Sequence, residues 1–383
     1  MRRTSIVSAS LMLGLVASAC SEPVTAPGAM DVVAGPQLSV AAGNGLQRGS
    51  VALPSGLISD LRQVALGNEA INPADYVCTQ TEINDFFLDN AYNIIDNEFE
   101  IFDLLYNDLL ADEVVMYHAL YILEDDQPQY FGYNGEYTHI MQKTHRDAKR
   151  FFDIESSDIQ LLGMHGSMLA DTAAVAHTYR YVYGVDPVTA GIFAGLIKDA
   201  LEVSTTVNGG NHPLFSFNAF AISAPGFIPD KIVMGDGFMA GLDALGYGDV
   251  GPQAIYAHEF AHHIQYENGY FDTDEHANTG TGAEQTRYTE MMADAYAAYF
   301  LTHARGLALN KHRVAQFLEA FHQIGDCAFT NDGHHGTPNQ RMRAAQFGFD
   351  VADQAHKQGH IISTEQFHDM FVEAYPAMIA PDA

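Results

Sequence analysis

The 383-residue chain contains no tryptophan, only three cysteines, and only 18 lysine and arginine residues against 48 aspartate and glutamate residues. The formal charge of -30 at pH 7 argues against nucleic acid or an anionic membrane surface as a partner, because both would repel the chain. Only 17% of the residues are charged, so the acidity reflects the scarcity of cationic side chains and is typical of a solvated secreted surface. The 47% of hydrophobic residues can fill a core, which excludes a wholly disordered chain.

The first twenty residues resemble a bacterial lipoprotein signal. Arg2 and Arg3 precede a short apolar stretch that ends in Ala-Ser-Ala before Cys20, and this stretch is too short to remain as a membrane-spanning helix. We therefore expect residues 1–19 to be removed and Cys20 to be lipidated. The protein would be exported to the outer membrane or cell surface and would touch the membrane only through its lipid. Ordinary secretion is the alternative, and export follows from either interpretation.

Three further segments are predicted after the signal. Residues 20–55 are rich in proline, glycine, alanine and serine, which is typical of a flexible tether. Residues 56–205 form a helical region, because apolar side chains recur there every three or four positions, for example at 164–183. Residues 206–383 combine short β-like pieces at 215–222 and 231–235 with further helices. The predicted fold class is α+β, mostly helical with a small sheet.

Cys78 and Cys327 remain once Cys20 is assigned to the lipid. An exported compartment permits a disulfide between them, which would link the two halves of the chain. Two buried free thiols are the alternative.

A predicted helix from Pro252 to about residue 266, with Gly269 just beyond its end, contains the sequence His258-Glu-Phe-Ala-His262. Residues four apart lie on one helical face, so both imidazoles can bind one tetrahedral Zn²⁺ ion. Glu259 would then lie beside the water molecule at the ion's open position and serve as general base.

A catalytic zinc ion takes three protein ligands and keeps one position open for water. Residues 283–303 form a second predicted helix containing Glu290 and Asp294 among small and apolar neighbours, which indicates a buried helix. Glu290 is the predicted third ligand. Asp294, one turn later, is predicted to accept the free ring N–H of one zinc-binding histidine. An ordinary exposed pair of acids is the alternative.

Together with the sequence His335-Gly-Thr-Pro-Asn-Gln-Arg341, these motifs resemble those of the bacterial neutral zinc metallopeptidases of the gluzincin clan. The resemblance covers about residues 225–350 and implies a zincin-like core that hydrolyses peptide bonds with one zinc ion. Where family members commonly have Cys, Gly and Trp after the Ala-Asp pair, this chain has Ala295, Ala298 and Tyr299.

Residues 337–340 form a capping box with proline at the first helical position, so His335 is expected just before a helix N-terminus. A donor at this place could stabilise an oxyanion, which makes His335 a candidate catalytic residue. Alternatively, His335 and Arg341 only hold the loop. His263 points about 100° away from the ligand face and is expected to pack or to form hydrogen bonds behind the site.

The predicted function is an exported zinc metallopeptidase that acts on a peptide or protein substrate. The strand near residues 232–234 is a candidate to pair with an extended substrate, because it precedes the metal-binding helix. A surface lipoprotein that binds a metal or a partner without hydrolysis is the alternative function.

Overall fold

The computed structural model describes residues 78–105, 113–120, 128–224, 227–280, 282–327, 333–355 and 359–382. The predicted signal peptide, the tether and Cys20 lie outside these ranges. A search of the same ranges finds no helix with the length and apolar character needed to cross a membrane.

The described residues are mostly helical and contain one small sheet, which confirms the α+β prediction. The helices are α1 (Glu82–Phe102), α2 (Glu113–Leu120), α3 (Thr138–Phe151), α4 (Thr172–Val182), α5 (Pro187–Val203), α6 (Asp236–Ala244), α7 (Val250–Asn268), α8 (Asp274–Ala277), α9 (Gly282–Thr302), α10 (Lys311–Gln323), α11 (Pro338–Ala355) and α12 (Thr364–Met378). The strands are β1 (Gln160–Met164), β2 (Ala219–Ala224) and β3 (Ile228–Gly235).

Strand β3 lies in the middle of the described sheet, with β1 parallel on one side and β2 antiparallel on the other. Residues 232–234 are paired on both sides, so their backbone groups are already used and the prediction that this strand binds a substrate by β-addition is wrong. Ile232, Val233 and Met234 are fully buried, as expected for a central strand covered on both faces.

The sheet joins the two segments separated at residue 206, because β1 belongs to the predicted helical region and pairs with β3. The helix predicted over 164–183 is correct only in its second part. Met164 ends β1, and α4 begins at Thr172, where Asp171 caps it by accepting the backbone N–H groups of Ala173 and Ala174. The division at residue 206 stays a prediction.

Helices α7 and α9 run through the interior. Every residue from 250 to 265 in α7 and from 286 to 301 in α9 is buried. A helix that is buried on all sides needs hydrogen-bond partners for its polar side chains. The ring of His263, one such side chain on α7, contacts Asp230 Oδ2 at 3.1 Å and the Lys231 carbonyl oxygen at 3.0 Å. His263 therefore ties α7 to β3, away from the ligand face as predicted. Gly269 ends α7 in the left-handed conformation, also as predicted.

Cys78 and Cys327 form a disulfide with 5.7 Å between their Cα atoms, which decides between the bond and the two free thiols that the sequence left open. The bond joins the segment before α1 to the loop after α10. Nearby, the Thr81 hydroxyl donates to the Gln323 carbonyl at 2.6 Å, and the Ile83 N–H donates to the Gln323 side chain at 3.3 Å. The start of the described chain is thus fastened to the end of α10.

Helices α9 and α11 approach closely at Gly348, where an added Cβ would lie only 2.0 Å from the Ala295 carbonyl oxygen. We expect Gly348→Ala to force the two helices apart and to lower the free energy of unfolding by about 1–3 kcal/mol. Urea denaturation followed by circular dichroism would measure the loss.

The matched control is Gly195→Ala in α5, where an added Cβ meets no atom within 4 Å. This variant should be more stable than wild type by about 0.5–1 kcal/mol, because alanine favours the helix. Equal stability of the two variants would contradict the close approach at Gly348.

Candidate metal centre

Helix α7 presents His258 and His262 one turn apart, with their Nε2 atoms separated by 3.2 Å. The two ring planes are nearly perpendicular, at 87°, and each histidine is only 2% exposed. The i, i+4 spacing therefore brings two ring nitrogens to one buried point, as predicted.

Helix α9 supplies the third member of the group. Oε2 of Glu290 lies 3.2 Å from His258 Nε2, and Oε1 lies 3.5 Å from His262 Nε2. The carboxylate is 1% exposed and faces both rings. His258, His262 and Glu290 thus form a buried group that could bind a metal ion, with one ligand atom from each residue.

The separations suit a small tetrahedral ion. Metal–ligand distances of about 2.0–2.1 Å at tetrahedral angles place neighbouring ligand atoms about 3.3 Å apart. The two Nε2 atoms are 3.2 Å apart, close to that value, and each lies 3.2–3.5 Å from a different oxygen of Glu290. An ion bound to these three groups would keep a fourth tetrahedral position for another ligand.

Hydrogen bonds behind the two rings determine which nitrogen carries the proton. Nδ1 of His258 lies 2.8 Å from Asp294 Oδ1, and Nδ1 of His262 lies 2.8 Å from Gln265 Oε1. The Gln265 amide nitrogen donates to the Thr289 carbonyl at 2.7 Å, so its oxygen faces the ring. Both neighbours are acceptors, so each Nδ1 carries hydrogen and each Nε2 faces the site, where it can bind a metal ion once the ring is neutral. Nitrogen atoms this close, beside a carboxylate, favour a proton or a metal ion between them.

The electric field of the site also favours a cation. Burial alone would lower the pKa of His258, but the Asp294 and Glu290 carboxylates raise it to about 9. Burial would raise the pKa of Glu290, yet the neighbouring histidines, His335 foremost, lower it to about 2. Burial lowers the pKa of His262 to about 4, which keeps this ring neutral and able to bind a metal at neutral pH.

Arg341 on α11 holds Asp294 with two hydrogen bonds, from Nε to Oδ2 at 2.8 Å and from Nη2 to Oδ1 at 2.7 Å. Arg341 is 2% exposed and Asp294 is fully buried, so each charge compensates the other. Nη1 of the same side chain donates to the Ile324 carbonyl at 3.2 Å. Arg341 therefore holds the loop, as one sequence interpretation expected, and also orients the acceptor of the His258 ring.

The sequence did not identify the contacts of Arg341 and Gln265. Gln265 follows His262 by three residues on the same helix, and this spacing could have indicated the pair. Arg341 comes from a different helix, so its contact with Asp294 depends on the packing of α11 against α9.

Glu259 follows His258 directly on α7 and is 1% exposed. It is excluded from bulk water, like the two histidines on either side of it.

His335 lies just before α11, at the place predicted from the capping box. The box is present, since the Gln340 N–H donates to the Thr337 hydroxyl at 3.2 Å and the Thr337 N–H donates to the Gln340 side chain at 3.0 Å. His335 is 2% exposed, and its Nε2 has no hydrogen-bond partner among the described residues. Its charge is the foremost of those that lower the Glu290 pKa, so the ring lies near the metal-binding group.

Comparison of the chain with protein-family models, with curated proteins and with solved structures finds no match.

We expect the purified protein to bind one equivalent of a divalent transition-metal ion. The variants His262→Ala and Glu290→Gln should retain far less than one equivalent, because each substitution removes one of the three ligands. Elemental analysis by mass spectrometry after dialysis measures the content. His145→Ala is the control. The His145 ring contacts the Tyr256 hydroxyl on α7 at 2.8 Å and lies outside the metal-binding group. One full equivalent in either ligand variant would exclude the proposed ligand set.

Removal of the Gln265 side chain should weaken metal binding by about 10–100-fold, because the His262 ring loses the acceptor that orients it. Competition with a chromogenic chelator measures the dissociation constant of Gln265→Ala. Asn268→Ala, at the exposed end of the same helix, should bind the metal as wild type does. If both variants have the wild-type constant, the orienting role is wrong.

Proposed function

We propose that the protein is a zinc metallopeptidase with a zincin-like core, related to the bacterial neutral zinc metallopeptidases that its motifs resemble. The observation that carries the proposal is the buried triangle of His258, His262 and Glu290, with Glu259 next to the first ligand. An acid at this position is what a general base for metal-assisted hydrolysis requires.

The choice of zinc follows from the ligand set. Two imidazoles and one carboxylate form a donor set that zinc commonly takes in catalytic sites, where three protein ligands leave one position for water or substrate. Structural zinc sites instead use four protein ligands, often cysteines. The two cysteines that the structure describes are joined to each other.

When bound, a zinc ion lowers the pKa of a water molecule to about 7 and polarises the scissile carbonyl. Glu259 accepts the proton of this water and later donates it to the leaving amine. His258, His262 and Glu290 would hold the ion, while Asp294 and Gln265 keep the two rings in the required tautomer.

His335 is the proposed oxyanion donor. Its Nδ1 is 3.1 Å from Asp326 Oδ2, and its buried Nε2 has no hydrogen-bond partner among the described residues. A protonated ring in this position would donate from Nε2 to the oxygen that gains charge during attack. The adjacent N-terminus of α11 adds a partial positive charge.

Export as a lipoprotein is part of the same proposal. The Cys78–Cys327 disulfide supports it, because such bonds persist mainly in oxidising compartments outside the cytosol. The acidic composition supports a solvated surface location and argues against nucleic acid as a partner.

Glu259→Gln should lower peptide hydrolysis by at least about 100-fold while one equivalent of zinc stays bound, because the amide cannot accept the proton. A mixed peptide library digested by wild type, with and without chelator, and by the variant would be analysed by mass spectrometry. Glu267→Gln, near the exposed end of the same helix, should cleave as wild type does.

Undiminished cleavage by Glu259→Gln would exclude its role as general base. A wild-type protein that holds zinc and cleaves nothing in the library would instead favour the alternative of a non-catalytic metal-binding surface lipoprotein.

A further inference from the structure

The carboxylate of Asp326 contacts two consecutive histidines. Its Oδ1 lies 2.6 Å from His334 Nδ1, and its Oδ2 accepts the His335 backbone N–H at 2.8 Å and faces His335 Nδ1 at 3.1 Å. The His334 and His335 side chains are almost fully buried. One carboxylate therefore fixes both the backbone and the ring of His335, whose charge contributes to lowering the pKa of Glu290.

The backbone around Asp326 is held from two further directions. Its N–H donates to the Gly336 carbonyl at 3.1 Å, on the far side of the two histidines. Two residues earlier, the Ile324 carbonyl accepts from Arg341, which also holds Asp294. The same short segment thus touches the support of His258 and the support of His335.

The next residue, Cys327, forms the disulfide with Cys78. On the other side of Asp326, the Gln323 carbonyl accepts the Thr81 hydroxyl at 2.6 Å. The segment from 323 to 327 is therefore attached at both ends to the stretch that precedes α1, and one of the two attachments is covalent.

We propose that Asp326 is the positioning residue for His335 and that the Cys78–Cys327 disulfide holds Asp326 in place. The proposal rests on the proposed peptidase function and concerns how its oxyanion donor is aimed. A carboxylate that accepts from Nδ1 fixes the ring orientation, stabilises the imidazolium and leaves Nε2 directed at the substrate.

Charge supports this arrangement. Although burial opposes ionisation of Asp326, the adjacent His334 and His335 rings hold its pKa well below the usual range, so it remains a carboxylate. An asparagine at this position keeps the size but loses the charge. The His335 ring would then lose its counter-charge, and the amide nitrogen would face one of the two histidines in place of an acceptor oxygen.

The test is a double-mutant cycle on the full chain with zinc bound. Asp326→Asn and His335→Ala should each lower kcat at least about tenfold, with little change in KM and one equivalent of zinc retained. The double variant should be no slower than His335→Ala alone, since Asp326 acts through that ring. Cys78→Ser/Cys327→Ser should lower kcat in the same way and should add nothing to His335→Ala.

The matched control is Asp230→Asn, which alters another buried aspartate that contacts a histidine, His263, and should leave kcat unchanged. If Asp326→Asn loses its thermal unfolding transition, the cycle is run with Asp326→Glu, which keeps the charge and displaces the carboxylate by one methylene. The proposal would be overturned if the fold-losses in kcat of the two single variants multiply in the double variant, or if Asp326→Asn has the wild-type kcat.

A second measurement uses the metal-free protein and needs no turnover. Hydrogen exchange in the disulfide-free variant should rise in residues 324–327 and 333–336 and stay unchanged in α7. Unchanged exchange in that segment overturns the role of the disulfide. A wild type without peptidase activity refutes the proposed function instead, and the exchange result still reports on the disulfide.

Discussion

Three electron-pair donors, His258 Nε2, His262 Nε2 and the Glu290 carboxylate, lie within 3.2–3.5 Å of one another in the interior. Such an arrangement favours a proton or a metal ion between the groups, because burial removes the water that would otherwise separate them. The surrounding structure maintains it. Asp294 and Gln265 set the tautomers, and the α9–α11 approach at Gly348 holds the acidic helix against the helix that carries Arg341.

The two sides of the site are supported differently. The side formed by α7 and α9 consists of helices with every central residue buried, so rigid packing defines the positions of the ligands. The side that carries His335 is a loop, and its position depends on a carboxylate, on Arg341 and on the disulfide next to Asp326. Loops that take part in catalysis need such anchors, because they lack the regular hydrogen bonds of a helix.

Arg341 connects the two sides. Its guanidinium binds Asp294 with two hydrogen bonds and also reaches the Ile324 carbonyl. Lysine could not make this set of contacts, since it lacks the planar arrangement of donors. Displacement of the loop would therefore change the position of Asp294, which accepts from His258, and the orientation of the His335 ring. The motif around residue 341 is thus more than a local capping element.

Local spacing in the sequence was enough to determine the relations within single elements. It paired His258 with His262, placed Asp294 one turn after Glu290, ended α7 at Gly269 and began α11 after Thr337. Each relation spans at most one helical turn or one cap, so backbone geometry alone defines it. The sequence offered Cys78 and Cys327 as a possible pair, and the tertiary structure decided that they are bonded. Only the tertiary structure decided that β3 is central and closed to a substrate, that Arg341 supports Asp294, and that Asp326 holds two histidines. These contacts join elements distant in the chain, and packing of the whole interior, which no local pattern encodes, sets their distances.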